Sequence, residues 1–137
     1  MRKLIIIFSI MLLCVGLFGC AESGDLKIPS NLELKDEYKN SVSTIYTDNF
    51  IEYTKHAINM YENINTINKD DLKKDNSLFD TLFDSKEGSK ISESEMFLGT
   101  KVASLSFDIA MYTIGSDSEE DKMKINEEMK AVLDLYK

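Results

Sequence analysis

The chain contains one proline, no tryptophan, one histidine and two cysteines among 137 residues, and each scarcity removes a class of architecture or chemistry. The proline is Pro29, so the residue that most often breaks helices is missing from everything beyond it. A single imidazole, His56, and two thiols cannot assemble a zinc set, an H-E-x-x-H helix or a Cys-rich framework. Positive charge is also in short supply. Sixteen Lys and Arg stand against 24 Asp and Glu, a formal charge of -8, which disfavours nucleic acid and anionic lipid surfaces because both are bound by clustered cations. Gly-rich phosphate loops and nucleophile elbows are missing too. The length fits one small domain, and a hydrophobic content of 43% is ordinary for a globular chain. We therefore expect no catalytic residues, no metal, no cofactor and no nucleic-acid partner.

What is present is most specific at the N-terminus. Met1-Arg2-Lys3 is basic, and residues 4–18 are apolar apart from Ser9 and Gly16, the layout of an export signal. As a helix this stretch spans roughly 22 Å, too short for the hydrocarbon core of a bilayer. It ends in Leu17-Phe18-Gly19-Cys20, followed by the polar Ala21-Glu22-Ser23-Gly24-Asp25. This run resembles the lipobox of bacterial lipoproteins. Leu17 matches the branched position, Gly19 the small one and Cys20 the modified thiol, while Phe18 is bulkier than the residue usual there. The resemblance implies a diacylglycerol on the Cys20 sulfur and cleavage just before it, and it covers only the signal. Together with the helical pattern beyond it, the expected division is signal peptide (1–19), lipidated Cys20 with a tether (20–30) and a helical domain (31–137). The membrane is then a partner through the lipid on Cys20, and the protein sits at the extracytoplasmic face of the bacterial cell membrane. Cleavage also removes Cys14, so no intramolecular disulfide is available to the mature chain.

Beyond the tether the pattern is helical. Three Ser-x-x-Glu boxes, Ser30 with Glu33, Ser92 with Glu95 and Ser116 with Glu119, each offer a hydroxyl at an N-cap and a carboxylate at N3. The fold class expected is all-α, a small bundle of three main helices plus one short helix. The first helix is expected over 31–65, with Leu34, Tyr38, Ile45, Tyr46, Tyr53 and Met60 among the residues on its core half. Ile51 and Ile58 fall on the opposite side. They are either covered locally or form a small contact site for a partner. The charged stretch 68–76 reads as loop or frayed turn. The tandem Leu78-Phe79-Asp80-Thr81 and Leu82-Phe83-Asp84-Ser85 reads as a short helix closed over 85–90, and it is the expected cover for the two isoleucines.

The helix expected over 94–114 is the most apolar and should be central. It carries a ridge of small residues, Gly99, Ala103, Ser106 and Ala110, flanked on one side by Met96, Phe107, Met111 and Ile114, and it ends at Gly115 as a natural cap. The last helix, over 117–136, buries Ile125, Met129, Val132, Leu133 and Tyr136. His56 is expected at the edge of the first helix's apolar face, paired with Glu52 one turn earlier. Acidic residues 117, 119, 121 and 128 follow the spacing of a calcium loop, but Lys122 replaces its glycine and the segment reads as helix. The tyrosines at 38, 46, 53 and 61 read as edges of the core. The leading expectation is a lipid-anchored, non-enzymatic envelope protein that binds, blocks or scaffolds another envelope protein. The alternative is a ligand-binding lipoprotein with a groove between helices near Asn49, His56 and the tyrosines.

Overall fold

The computed structural model describes residues 26–83, 91–115 and 118–137. The signal segment, Cys20, the expected closure over 85–90 and the Ser116 of the third box lie outside the described residues. Among the described residues five helices follow in order: α1 (Asp36–Lys39), α2 (Thr44–Glu62), α3 (Lys69–Phe83), α4 (Glu93–Gly115) and α5 (Glu119–Leu133). They pack as a small all-α bundle in which α4 touches α2, α3 and α5, and α2 also packs on α3. No helix of the described residues is long and apolar enough to cross a membrane.

The single helix expected over 31–65 is instead an extended segment, a one-turn helix, a break and a long helix. Ser43 makes the break. Its hydroxyl accepts from the Tyr46 amide at 3.2 Å and starts α2 at Thr44. Upstream, Leu32 and Leu34 are buried while Glu33 is exposed, the two-residue alternation of a strand rather than a helix. Leu34 pairs with Tyr136 in an isolated antiparallel bridge, with the Lys35 amide donating to the Leu135 carbonyl (3.0 Å) and the Lys137 amide to the Glu33 carbonyl (2.9 Å). This clasp, rather than α5, holds Tyr136. Ser30 caps nothing, and Glu33 pairs with Lys137 and Lys39. Ile45, expected in the core, is 76% exposed. Tyr46, 100° around the helix from it, points its hydroxyl at the Glu95 carbonyl and sets the phase of α2.

The charged stretch expected as loop is helix from Lys69 onward, with Asn68 before it. Asn68 Oδ1 accepts from the amides of Asp70 (2.8 Å) and Asp71 (3.2 Å), and Asp71 Oδ2 accepts from the Asn68 amide at 2.9 Å. This reciprocal cap makes α3 a full helix of 15 residues, as long as α5. Acidic Asp70 and Asp71 in its first turn suit the positive end of the helix dipole. α4 begins on the expected box, with the Glu95 amide donating to Ser92 Oγ (3.2 Å) and the Ser92 amide to Glu95 Oε2 (2.9 Å). α5 starts two residues later than expected, capped by Ser118 through the Asp121 amide at 3.1 Å.

The core is one cluster. Phe50, Tyr53, Ala57 and Met60 of α2 join Leu98, Val102, Leu105 and Ile109 of α4 and Ile125, Met129 and Val132 of α5. Leu26 and Ile28, in the stretch expected as tether, also pack against it. Gly99 leaves room on α4 for two side chains of neighbouring helices. A Cβ there would stand 2.6 Å from Phe83 Cζ and 2.7 Å from the Tyr46 hydroxyl. Gly115 has open space around it and belongs to α4 itself, so it is not the left-handed cap its place in the sequence suggests.

This contrast gives a paired prediction. In a helix interior alanine is worth up to ~1 kcal/mol over glycine, but overpacking against Phe83 and the anchored Tyr46 costs about 1–3 kcal/mol. Gly99→Ala is expected to lower stability in urea titration, and Gly115→Ala to leave it unchanged or slightly raised.

Candidate functional site

Polar side chains meet between α2, α3 and α4. Ser106, fully buried on α4, donates to Asp75 Oδ1 on α3. The Tyr53 phenol lies against the same pair, and burial followed by the charge of Asp75 pushes its pKa far above the usual range. His56, also buried, sits beside Asp75 and places Nε2 3.0 Å from the Asp71 carbonyl oxygen rather than pairing with Glu52. A carbonyl only accepts, so Nε2 carries the proton. Burial raises the Asp75 pKa, against the lowering effect of the Ser106 hydroxyl and His56.

Serine, histidine and aspartate thus meet, but in an order that does not activate the serine. In a nucleophilic triad the imidazole stands between hydroxyl and carboxylate. Here the carboxylate stands between hydroxyl and imidazole, and the histidine's N–H is engaged by backbone. What the cluster does is fix three helices in register, because each buried group is satisfied only at one relative height.

The tyrosines behave in the same way. The Tyr46 hydroxyl donates to the Glu95 carbonyl, Tyr61 to Asn126 Oδ1 at 2.6 Å and Tyr136 to Thr54 Oγ1 at 2.7 Å. Tyr38 stacks on Phe97 with ring centroids 6.4 Å apart. Asn49 is half-buried on the His56 side of α2. Ile58 is buried and Ile51 half-buried against the core, but the tandem does not sit where it was expected. α3 packs on the His56 flank, roughly 160° around α2 from Ile58. The flank of Ile58 is the one where its neighbour Thr54 receives Tyr136 of the terminal clasp.

A second polar group joins α4 to α5, and no short-range spacing signals it. Asp108 Oδ2 lies 2.6 Å from Lys124 Nζ. Beside it the Glu128 carboxyl is pushed up to about 7, first by burial and then by its hydrogen bond and repulsion with Asp108, with Lys124 and Lys101 pulling the other way. Of the calcium-template residues that are described, Glu119 pairs with Lys122 at 2.9 Å, and no group of three or more His, Cys, Asp or Glu suited to a metal ion occurs among the described residues.

Two outcomes follow from these clusters. Asp75→Ala strips the partner from Ser106 and from His56's surroundings, and is expected to cost about 1–3 kcal/mol in urea unfolding, with Asp75→Asn milder because it keeps an acceptor. For Glu128 the sign runs against the usual carboxylate. The folded state keeps a proton that the unfolded chain loses above its ordinary value of 4.5, so this group's contribution to stability falls as pH rises from there toward 7 and then levels. Glu128→Gln retains a donor toward Asp108 without titrating. Its melting temperature is expected to decline less than the parent's between about pH 5 and about pH 7.5, followed by circular dichroism.

Comparison of the chain with protein-family models, with curated proteins and with solved structures gave no match in any of the three.

Proposed function

We propose that this chain is a lipid-anchored, non-enzymatic bacterial envelope protein, held at the extracytoplasmic face of the cell membrane through Cys20, whose helical bundle binds, blocks or scaffolds another envelope protein. The observation that carries this reading is Leu17-Phe18-Gly19-Cys20, placed directly after a basic start and an apolar run of export-signal length. Two or three acyl chains on one cysteine give stable anchoring where a single chain is marginal. The bundle's first described residue, Leu26, already packs on the core, so only residues 21–25 separate it from the anchor. At full extension they reach about 17 Å, which keeps the bundle within its own diameter of the bilayer. An excess of acidic side chains repels anionic headgroups and favours surfaces turned away from the lipid. The side chains suited to chemistry support the same reading. His56, Asp75 and Ser106 are buried and tied to one another or to backbone, which suits a scaffold rather than a reacting centre.

Replacing the thiol tests the anchor. Cys20→Ala is expected to abolish labelling by radioactive palmitate and to leave the chain either unprocessed or released from the membrane fraction. A Cys20→Ala protein that is processed normally and still sediments with membranes overturns the reading.

A further inference from the structure

α4 carries an apolar seam that no element among the described residues covers. Met96, Thr100, Ala103, Phe107, Ala110 and Ile114 recur at intervals of four and three residues, the a/d spacing of a coiled coil. They span about 27 Å of helix. None of them is charged. Phe107 is 63% exposed and Ile114 70%, with Met96 and Met111 also exposed, whereas Leu98, Val102, Leu105 and Ile109 on the other side of α4 are fully buried. Large exposed side chains at Met96, Phe107 and Ile114 in one line differ from scattered surface hydrophobics, which are normal on any protein.

The seam is self-complementary. If two copies of α4 lie antiparallel about a two-fold axis at Leu105, Ala103 of one meets Phe107 of the other, Thr100 meets Ala110, and Met96 meets Ile114. Each large residue in the middle faces a small one, and the two bulkiest ends close the line. On the flank, Phe97 falls opposite Met111, and Ser104 falls opposite its own counterpart. No charged residue faces another across the line. Phe97, Phe107, Met96, Met111 and Ile114 together expose on the order of 500 Å², so pairing removes about 1,000 Å², the area at which specific interfaces begin. We propose that the occupant of this seam is a second copy of this chain, joined to the first by an antiparallel, two-fold pairing of α4. This pairing goes beyond the anchoring reading and does not depend on Cys20.

Cross-linking in the full-length chain tests it. Ser104, exposed and nearest the proposed axis, is replaced by cysteine, and cells expressing the Ser104→Cys chain are oxidised with copper phenanthroline and run on a non-reducing gel. The native chain, with Cys14 and Cys20, sets the background, and Thr81→Cys on the exposed side of α3 is the positional control. A band at twice the chain's mass, several-fold stronger for Ser104→Cys than for either comparison, is expected. Adding Phe107→Glu, or separately Ile114→Lys, to the Ser104→Cys chain should return the band to background with helical content unchanged, since both side chains lie on the surface. A Ser104→Cys dimer no stronger than that of Thr81→Cys overturns the proposal. So does a Ser104→Cys cross-link to a polypeptide of different mass, which assigns the seam to another protein.

Discussion

The Glu95 carboxylate holds the bundle together at two helix starts at once. One oxygen accepts the Ser92 amide and completes the cap of its own helix, while the other accepts the Ser43 amide at 3.1 Å and the Ser43 hydroxyl at 3.0 Å. Ser43 in turn caps α2. One anion therefore sits at the positive ends of α2 and α4, where dipole and exposed amides both favour it. Burial works against the charge, but the amides and hydroxyls of Ser92 and Ser43 outweigh it and hold the Glu95 carboxyl below its usual range. Because Tyr46 bonds to the backbone carbonyl of the same residue, the start of α2 is pinned to α4 in height and in rotation. The core stripe of α2 inherits its phase from that pin, and Gly99, one turn further along α4, provides the room for Tyr46 and Phe83.

The remaining polar contacts extend the same logic through the interior. An apolar interface tolerates small slips of one helix along another, because area burial is insensitive to register. Buried hydroxyls and carboxyls do not tolerate such slips, since an unpaired one costs more than the pair returns. Ser106 with Asp75 sets α4 against α3, Tyr61 with Asn126 sets α2 against α5, and Tyr136 with Thr54 sets the C-terminal clasp against α2. The tyrosine hydroxyls therefore work inward. The tyrosines that read as core edges are largely bonded across the bundle.

Sequence alone was a good guide mostly where the determinant is local. The Ser92 box, the extent of α4 and the apolar face of α5 were legible because each rests on residues within a turn or two of one another. Most of the misreadings share one cause, a partner far along the chain; the start of α3, capped by Asn68 and Asp71 three residues apart, is the exception. Ser43 has no acidic residue three places on, so it did not read as a cap; its carboxylate comes from Glu95, 52 residues away. Leu32-Glu33-Leu34 fits a helical stripe as readily as a strand until Tyr136 is placed beside it. Residues 68–76 looked like a loop because Asn, Asp and Lys dominate both loops and helix starts, and only the Asn68 and Asp71 reciprocity distinguishes them. For His56 the helical projection gave the correct boundary position, but it could not show that α3 would bring a backbone carbonyl to it.

The ridge of small residues on α4 shows how one pattern serves two surfaces. Gly99 and Ser106 face inward and are buried beside α3, where close approach and a hydrogen bond are needed. Ala103 and Ala110, about 60° and 40° further around, lie at the margin where that contact ends and the exposed seam begins. A helix apolar on every side ordinarily lies in the middle of a larger protein. In a bundle this small the other helices reach only part of its circumference, and the described residues leave one face of α4 in water. Neither composition nor mean hydropathy reveals such an excess, because the same residues scattered over five helices would be unremarkable. Their alignment on one face, at coiled-coil spacing and without a charge in the line, makes that face a surface for another helix.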